Sequence, residues 1–204
     1  HESEERYRLV MQGSGAGIWD WDIVRQRVYY SPQWKRMRGY ADLDVGDTYQ
    51  EWAERVHPED RARVEEAFAT FLAEAARRPQ DPPRFTEDYR TLHKDGSWLW
   101  IHDEGVVQLG EDGTPVRMVG TEVDITQRKR AEEALRRSEG RLRAIFDASQ
   151  SGILVSSLAG VIEFANQAAA DLFGVSLAQL VGSAYLTYVH PTEKTTASQF
   201  MERL

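Results

Sequence analysis

The amino-acid sequence predicts an α+β fold, in which a five-stranded antiparallel sheet carries helices on one face. The first observation is residues 17–23, where tryptophan and isoleucine alternate with aspartate, as in a strand with one buried face. The second is residues 59–77, where apolar side chains recur at helical spacing. The third is a later series of three strand-like stretches joined by short Gly-containing turns, which makes neighbouring strands antiparallel.

In chain order, the first predicted element is a short helix over 3–13, with Ser3 as its N-cap. Two strands follow it, over 17–23 and 27–30, and a tight link joins them. The next helix begins after Ser31, because a serine N-cap followed directly by proline is a common start of a helix.

This short helix is predicted to end at Gly39, since glycine is common just past a helix C-terminus. The long amphipathic helix over 59–77 ends at a proline-rich segment. Three strands are predicted after it, over 85–93, 97–109 and 115–125. Acidic residues alternate with apolar ones on the strands and are therefore expected to face solvent. They are Asp20, Asp22, Glu87, Asp88, Asp103 and Glu104.

A second long helix is predicted over 127–148, with Thr126 as its cap. Five residues in it are spaced by four, three, four and three positions, as in a heptad seam: Ala131, Leu135, Ser138, Leu142 and Ile145. A seam of this kind packs against a second helix, so the sequence predicts a homodimer. The expected dimer contacts are Ala131, Leu135, Leu142 and Ile145.

The last third of the chain repeats its beginning. Gly17-Ile18 recurs as Gly152-Ile153, 135 positions later, and Gly39 recurs as Gly174 at the same offset. The motif Val-His-Pro at 56–58 also recurs near the end of the chain. The repeat predicts three parts, which are a complete domain with an N-terminal helix over 1–126, a linker helix over 127–148, and the first half of a second copy over 149–204.

These motifs, in this order, resemble the PAS family of sensory domains, and the opening is similar to its Trp-Asp-Trp subclass. The residues that carry the resemblance are Gly17-Ile18-Trp19-Asp20-Trp21-Asp22, Tyr30-Ser31-Pro32, His57-Pro58-Glu59-Asp60, Lys94-Asp95-Gly96-Ser97-Trp98 and Asp124-Ile125-Thr126. The second copy resembles the first half of a PAS domain through Gly152-Ile153, Phe164-Ala165-Asn166, Leu172-Phe173-Gly174 and His190-Pro191.

The resemblance implies a sensory and regulatory module of a bacterial multidomain signal-transduction protein. It implies that the sheet and helices can enclose a small ligand, and that the helix after Asp124 and Thr126 relays the signal to an effector outside this sequence. That effector would be a histidine kinase, a diguanylate cyclase or a phosphodiesterase. The alternative interpretation is a ligand-free PAS domain that acts as a dimerisation and interaction scaffold.

Candidate ligand contacts are aromatic or Met residues, since a binding pocket combines apolar walls with a few polar groups. The predicted pocket residues are Tyr30, Trp34, Met37 and Tyr89. An enzyme is not favoured and no catalytic residue is assigned, because the sequence offers no evident nucleophile–base pair and no phosphate loop in the expected strand–helix context.

Several partners and cofactors are not expected. The chain has no Cys, which excludes a flavin–thiol adduct and a disulfide framework. Residues 59–77 contain no His, so haem held by a His on the long helix is not expected. The cofactor stays unknown. His57 is interpreted as a surface or capping residue before the long helix, because with Asp60 it lacks a third metal ligand. A net charge of -8 argues against nucleic acid as the main partner. No apolar run approaches the ~20 residues of a membrane helix, and a cytoplasmic location is expected.

Overall fold

A computed structural model of the chain describes residue 13 and residues 15–193. The helix predicted over 3–13 lies outside the described residues except for position 13. The chain divides into two compact units, His1–Ala131 and Glu132–Leu204. Each unit has its own hydrophobic core.

The first unit contains the predicted five-stranded antiparallel sheet. Its strands are β1 (Gly17–Asp22), β2 (Arg27–Tyr30), β3 (Phe85–Leu92), β4 (Trp98–Leu109) and β5 (Pro115–Asp124). They lie in the order β2-β1-β5-β4-β3, and every neighbouring pair is antiparallel. Of these five strands, β5 comes last in sequence but lies in the middle of the sheet, between β1 and β4.

Three helices pack on one face of this sheet, which confirms the predicted fold class. They are α1 (Pro32–Met37), α2 (Tyr49–Ala53) and α3 (Pro58–Arg77). At the start of α1, the Ser31 hydroxyl accepts a hydrogen bond from the Trp34 backbone N–H. At the start of α3, the Nδ1 of His57 accepts from the Glu59 backbone N–H at 3.2 Å, so His57 is the capping residue that the sequence predicted.

The long helix α3 supplies much of the core. Its buried side chains recur at spacings of four, three and four residues, which places them on one face: Val64, Phe68, Phe71 and Ala75. Burying a Val or Phe side chain contributes roughly 1.5–3 kcal/mol relative to leaving it exposed. This stripe therefore holds α3 against the sheet.

Two glycines on neighbouring strands make room for a tryptophan. Gly105 of β4 lies opposite Gly120 of β5, and the indole of Trp19 on β1 packs over both. A Cβ atom added at Gly105 would lie 3.0 Å from the indole, and one added at Gly120 would overlap it. The glycines thus allow Trp19 to lie flat against the middle of the sheet.

A single continuous helix, α4 (Thr126–Ala148), follows β5 and runs from the first unit into the second. In the second unit, β6 (Leu154–Ser156) and β7 (Ile162–Ala165) form an antiparallel pair. Helices α5 (Gln167–Phe173) and α6 (Leu177–Leu180) follow. The core of this unit is formed by Ile162, Ala169, Ala170 and Leu180.

The order of elements after α4 repeats the order at the start of the first unit, namely strand, strand and helix. The glycines that follow the first helix of each copy also match. Gly39 after α1 has φ 78° and Gly174 after α5 has φ 67°, and glycine adopts this left-handed conformation without the strain of a side chain. The internal repeat seen in the sequence is therefore also a structural repeat.

Candidate functional site

A buried ion pair lies in the core of the first unit. Arg38 directly follows α1, its side chain is 0% exposed, and its guanidinium lies 3.6 Å from the centroid of the Trp34 ring. The guanidinium forms an ion pair with Glu122 of β5, whose side chain is 1% exposed. Removing two charges from water is costly, so such a pair needs further hydrogen bonds to be stable. Arg38 Nε donates one of them to the Thr91 hydroxyl at 3.3 Å.

The hydroxyl of Tyr89 connects this ion pair to a second buried carboxylate. It accepts a hydrogen bond from Trp52 Nε1 at 2.7 Å. It lies 3.0 Å from Glu122 Oε1 and 3.2 Å from Asp103 Oδ2. A tyrosine has one hydroxyl hydrogen, so it cannot donate to both carboxylates at once.

A proton on Asp103 resolves this conflict. Burial, and then the negative charge of Glu122, raise the pKa of Asp103 well above its usual value. A protonated Asp103 donates to the Tyr89 oxygen, which leaves the Tyr89 hydrogen for Glu122. Trp19 Nε1 donates to the other oxygen of Asp103 at 2.8 Å. The network then contains one carboxylate charge, on Glu122, which balances the positive charge of Arg38.

A small cavity lies beside this network. Its volume is about 20 Å³, which is room for roughly one water molecule. The lining is mostly aromatic and includes both carboxylates: Trp19, Trp21, Val28, Tyr30, Tyr49, Trp52, Phe68, Asp103 and Glu122. The space between sheet and helices is therefore largely filled by the side chains of the domain itself.

The structure places the four predicted pocket residues in or beside the core. Tyr30 lines the cavity and donates its hydroxyl hydrogen to the Thr48 carbonyl at 3.0 Å. Trp34 and Tyr89 belong to the core and Met37 packs against it, but none of the three lines this cavity. A role for any of the four in ligand binding stays a prediction.

The expectation that Asp103 faces solvent is wrong, because it is 1% exposed. Arg38 and Glu122 were not among the residues predicted from the sequence as members of the site. One signal for Asp103 was available, since it lies two positions after the buried Ile101 on β4 and alternate residues of a strand share a face.

The junction between β5 and α4 is held by side chains and backbone groups. Asp124 Oδ1 accepts from the Thr126 backbone N–H at 2.8 Å. The Thr126 hydroxyl accepts from the Trp100 backbone N–H of β4 at 2.9 Å, and Ile125 N–H donates to the Trp100 carbonyl at 2.9 Å. The prediction that Thr126 caps the helix is therefore wrong. The helix begins at Thr126, Asp124 provides the acceptor, and the Thr126 hydroxyl binds β4.

A third strand also contacts the first turn of α4. Asp88 of β3 accepts from Lys129 Nζ at 2.8 Å and lies 2.7 Å from Nδ1 of His102. Burial opposes ionisation of Asp88, but the hydrogen bonds from Lys129 and His102 outweigh it and lower its pKa. The hydrogen bond that His102 donates to Asp88 also raises the pKa of His102. The start of α4 is thus tied to β3, β4 and β5.

Further along α4, the predicted seam faces solvent in the single chain. Leu135 is 61% exposed, Leu142 is 65% exposed and Ile145 is 59% exposed, and Ala131 is exposed as well. Large apolar side chains at this exposure and spacing are typical of a helix that packs against another helix. The dimer itself stays a prediction.

Comparison with known families identifies the fold. A family model described as PAS fold matches residues 27–122, and one described as PAS domain matches residues 140–201. The chain belongs to the PAS family, with one PAS domain in the first unit and a second PAS domain in the second unit. The assignment to the Trp-Asp-Trp subclass stays a prediction.

Two relatives show the context in which such chains occur. The chain is 28% identical over 178 residues to the sensor protein FixL of Bradyrhizobium diazoefficiens, which covers 87% of this chain and 34% of that protein. It is 28% identical over 192 residues to the probable diguanylate cyclase DgcE of Escherichia coli K12, which covers 92% of this chain and 16% of that protein. The chain therefore spans only a minor part of the length of these relatives.

A solved structure agrees with this context. The crystal structure of a sensory box histidine kinase/response regulator from Burkholderia thailandensis superposes with a TM-score of 0.57 at 36% identity. The match covers 68% of this chain and 98% of that chain. This chain is a sensory module of the kind that signal-transduction proteins contain. In the residues that the structure describes, no helix combines the length and the apolar character of a membrane span.

Proposed function

We propose that this chain detects a signal and relays it through α4 to an effector elsewhere in the same protein. The observation that carries the proposal is the junction at the start of α4, where Thr126 is bonded to both β4 and β5. From the relatives, we propose a histidine kinase or a diguanylate cyclase as the effector. We also propose a cytoplasmic location for this module.

Strand β5 provides a short route from the interior to the junction. Glu122 takes part in the buried network, and Asp124 on the same strand holds the first turn of α4. A hydrogen-bonded strand in the middle of a sheet moves as a stiff element, so a shift at Glu122 is carried to Asp124. Rearrangement of the network is therefore a means of moving α4.

The filled interior supports a second candidate function. Pockets for small molecules usually have volumes of about 300–1,000 Å³, whereas the interior cavity here is about 20 Å³. A metabolite enters this domain only if its aromatic lining moves apart. The observation favours a ligand-free PAS scaffold, which dimerises, sets the spacing of its neighbours and responds to a partner protein.

Native mass spectrometry of the purified chain separates these two candidates. A small molecule that co-purifies in stoichiometric amount, and is recovered by denaturing extraction, supports a ligand sensor. Bare chains that gain no mass support the scaffold.

The proposed assembly is a homodimer in which two copies of α4 pack along Ala131, Leu135, Leu142 and Ile145. Because the chain has no Cys, one spin label can be placed on α4 through the single change Arg136→Cys. The distance distribution between the labels of two protomers then reports the packing of α4. Failure to detect any distance between protomers would contradict the dimer.

Thr126→Val tests the relay on this labelled protein, since it keeps the shape of the side chain and removes the oxygen that accepts from Trp100. We expect it to shift or broaden the distance distribution. Thr121→Val, an equivalent change on β5 outside the junction, is the matched control and leaves the distribution unchanged. Identical distributions in all three proteins would contradict the relay.

A further inference from the structure

The side chain of Asn166 joins several backbone segments in the second unit. It is buried between β7 and α5. Its Oδ1 accepts from the backbone N–H of Ile153 at 2.9 Å and of Ala169 at 2.9 Å. Its Nδ2 donates to the carbonyl oxygens of Phe146 at 3.0 Å and Ser151 at 2.9 Å. One amide thus connects the end of α4, the approach to β6 and the start of α5.

The accepting half of this amide has a counterpart in the first unit, 135 positions earlier. The Ser31 hydroxyl accepts from the backbone N–H of Ile18 at 2.8 Å and of Trp34 at 3.2 Å. These residues correspond to Ile153 and Ala169 in the repeat. A single oxygen is therefore enough to hold the strand and to cap the helix.

The donating half of the amide serves a different purpose. Phe146 lies in the last turn of α4, where backbone carbonyls have no partner within the helix. The bond from Asn166 supplies a donor to this carbonyl, and the serine at the corresponding position has no amide hydrogens to offer. The donating half therefore adds a link to α4 that capping alone does not require.

We propose that Asn166 is the positioning residue through which the second PAS domain receives movement of α4. The inference rests on the proposed relay. Movement of the last turn of α4 acts on Nδ2 of the amide, and Oδ1 transmits it to Ile153 and Ala169. These two residues hold the approach to β6 and the first turn of α5, so the domain responds at its sheet and at its first helix together.

Amide hydrogen exchange in the complete chain tests this inference. Thr126→Val loosens the start of α4, and the exchange rates of the Ile153 and Ala169 amides report the response of the second domain. With Asn166 present, we expect Thr126→Val to raise these rates about threefold to tenfold, as for the loss of roughly one hydrogen bond. With Asn166→Ser, which keeps the accepting oxygen, we expect Thr126→Val to leave them unchanged.

Two further variants keep the result interpretable. Asn166→Asp retains the length and the accepting oxygen but loses the donor, so it should uncouple the domain as Asn166→Ser does. Gln167→Ser changes the exposed neighbour and should preserve the coupling. Coupling that persists in both Asn166 variants would overturn the role of Asn166 and leave the relay intact. No response at Ile153 or Ala169 when Asn166 is present would overturn the inference, and the label distances on α4 then decide separately whether the relay holds.

Discussion

Two buried carboxylates of the first PAS domain should respond in opposite ways to the same chemical change. Glu122→Gln and Asp103→Asn each replace a carboxyl group by an amide of nearly the same shape. Glu122 forms the ion pair with Arg38. Burial and the negative charge of Glu122 raise the pKa of Asp103 well above its usual value, which favours the neutral form of Asp103. The first change therefore removes the partner of a buried charge, and the second replaces a group whose neutral form is favoured.

The magnitude for Glu122→Gln follows from the surroundings of Arg38. The guanidinium is fully buried, and its other acceptors are the neutral Thr91 hydroxyl at 3.3 Å and the Trp34 carbonyl at 3.4 Å. Removing one partner of a buried pair costs about 3–5 kcal/mol, because the remaining charge is left without compensation. Domains are stable by about 5–15 kcal/mol, so we expect the melting temperature to fall by on the order of 10 °C.

Asp103→Asn should change the free energy of unfolding by less than about 1 kcal/mol near pH 4. The amide nitrogen takes the place of the protonated oxygen and donates to Tyr89, and the amide oxygen still accepts from Trp19. The pKa of Asp103 is higher in the folded protein than in the unfolded chain, where it is about 3.9. Between these two pKa values, the folded protein therefore holds a proton on Asp103 that the unfolded chain has released. Wild-type stability is therefore lost as the pH rises towards the folded pKa, and the variant should gain stability relative to wild type over that window.

Urea unfolding at several pH values between about 4 and 8 measures both effects. Glu122→Gln should lower the free energy of unfolding strongly at pH 7, while Asp103→Asn should equal or exceed wild type there. Equal and large losses in both variants at pH 7 would refute the reasoning, because they would mean that Asp103 is ionised in the folded protein.

Five other substitutions have defined outcomes. Gly120→Ala should destabilise the chain in urea, because the added methyl group overlaps the Trp19 indole. Gly140→Ala, in the exposed part of α4, should stabilise the chain by about 0.5–1 kcal/mol, because alanine favours a helix more than glycine does. His102→Gln should lower the free energy of unfolding more at about pH 5.5 than at pH 8.5, since the raised pKa of His102 favours the folded state only while it is protonated. In sedimentation equilibrium, Leu142→Lys should produce monomers, whereas Leu158→Lys on another exposed site should not.

The sequence predicted the sheet and the helices α1 and α3 of the first domain, because each has a strong local signal, but α2 was not among the predicted elements. The alternation at 17–23 and the Ser31-Pro32 start of α1 depend on neighbours within a few residues. The internal repeat also predicted the second domain, since Gly39 and Gly174 lie at the same turn in the two copies.

The buried network was not predictable in this way. Arg38 and Glu122 are 84 residues apart, and each looks like an ordinary surface residue in its own segment. Their contact depends on how α1 packs on β5, which no local pattern describes. Thr126 was placed at the correct junction but with the wrong role for the same reason, because its hydroxyl bonds to Trp100 on a different strand instead of capping the helix.

The proposed relay requires that the interior of the first PAS domain is coupled to the start of α4. Tyr89→Phe tests this coupling, because it removes the hydroxyl that joins the two carboxylates and keeps the packed ring. The measurement is amide hydrogen exchange at Trp100 and Thr126 in the junction, with Val28 on β2 as the reference. We expect exchange at Trp100 and Thr126 to accelerate more than exchange at Val28. Uniform acceleration at all three amides, or no change at the junction, would contradict it.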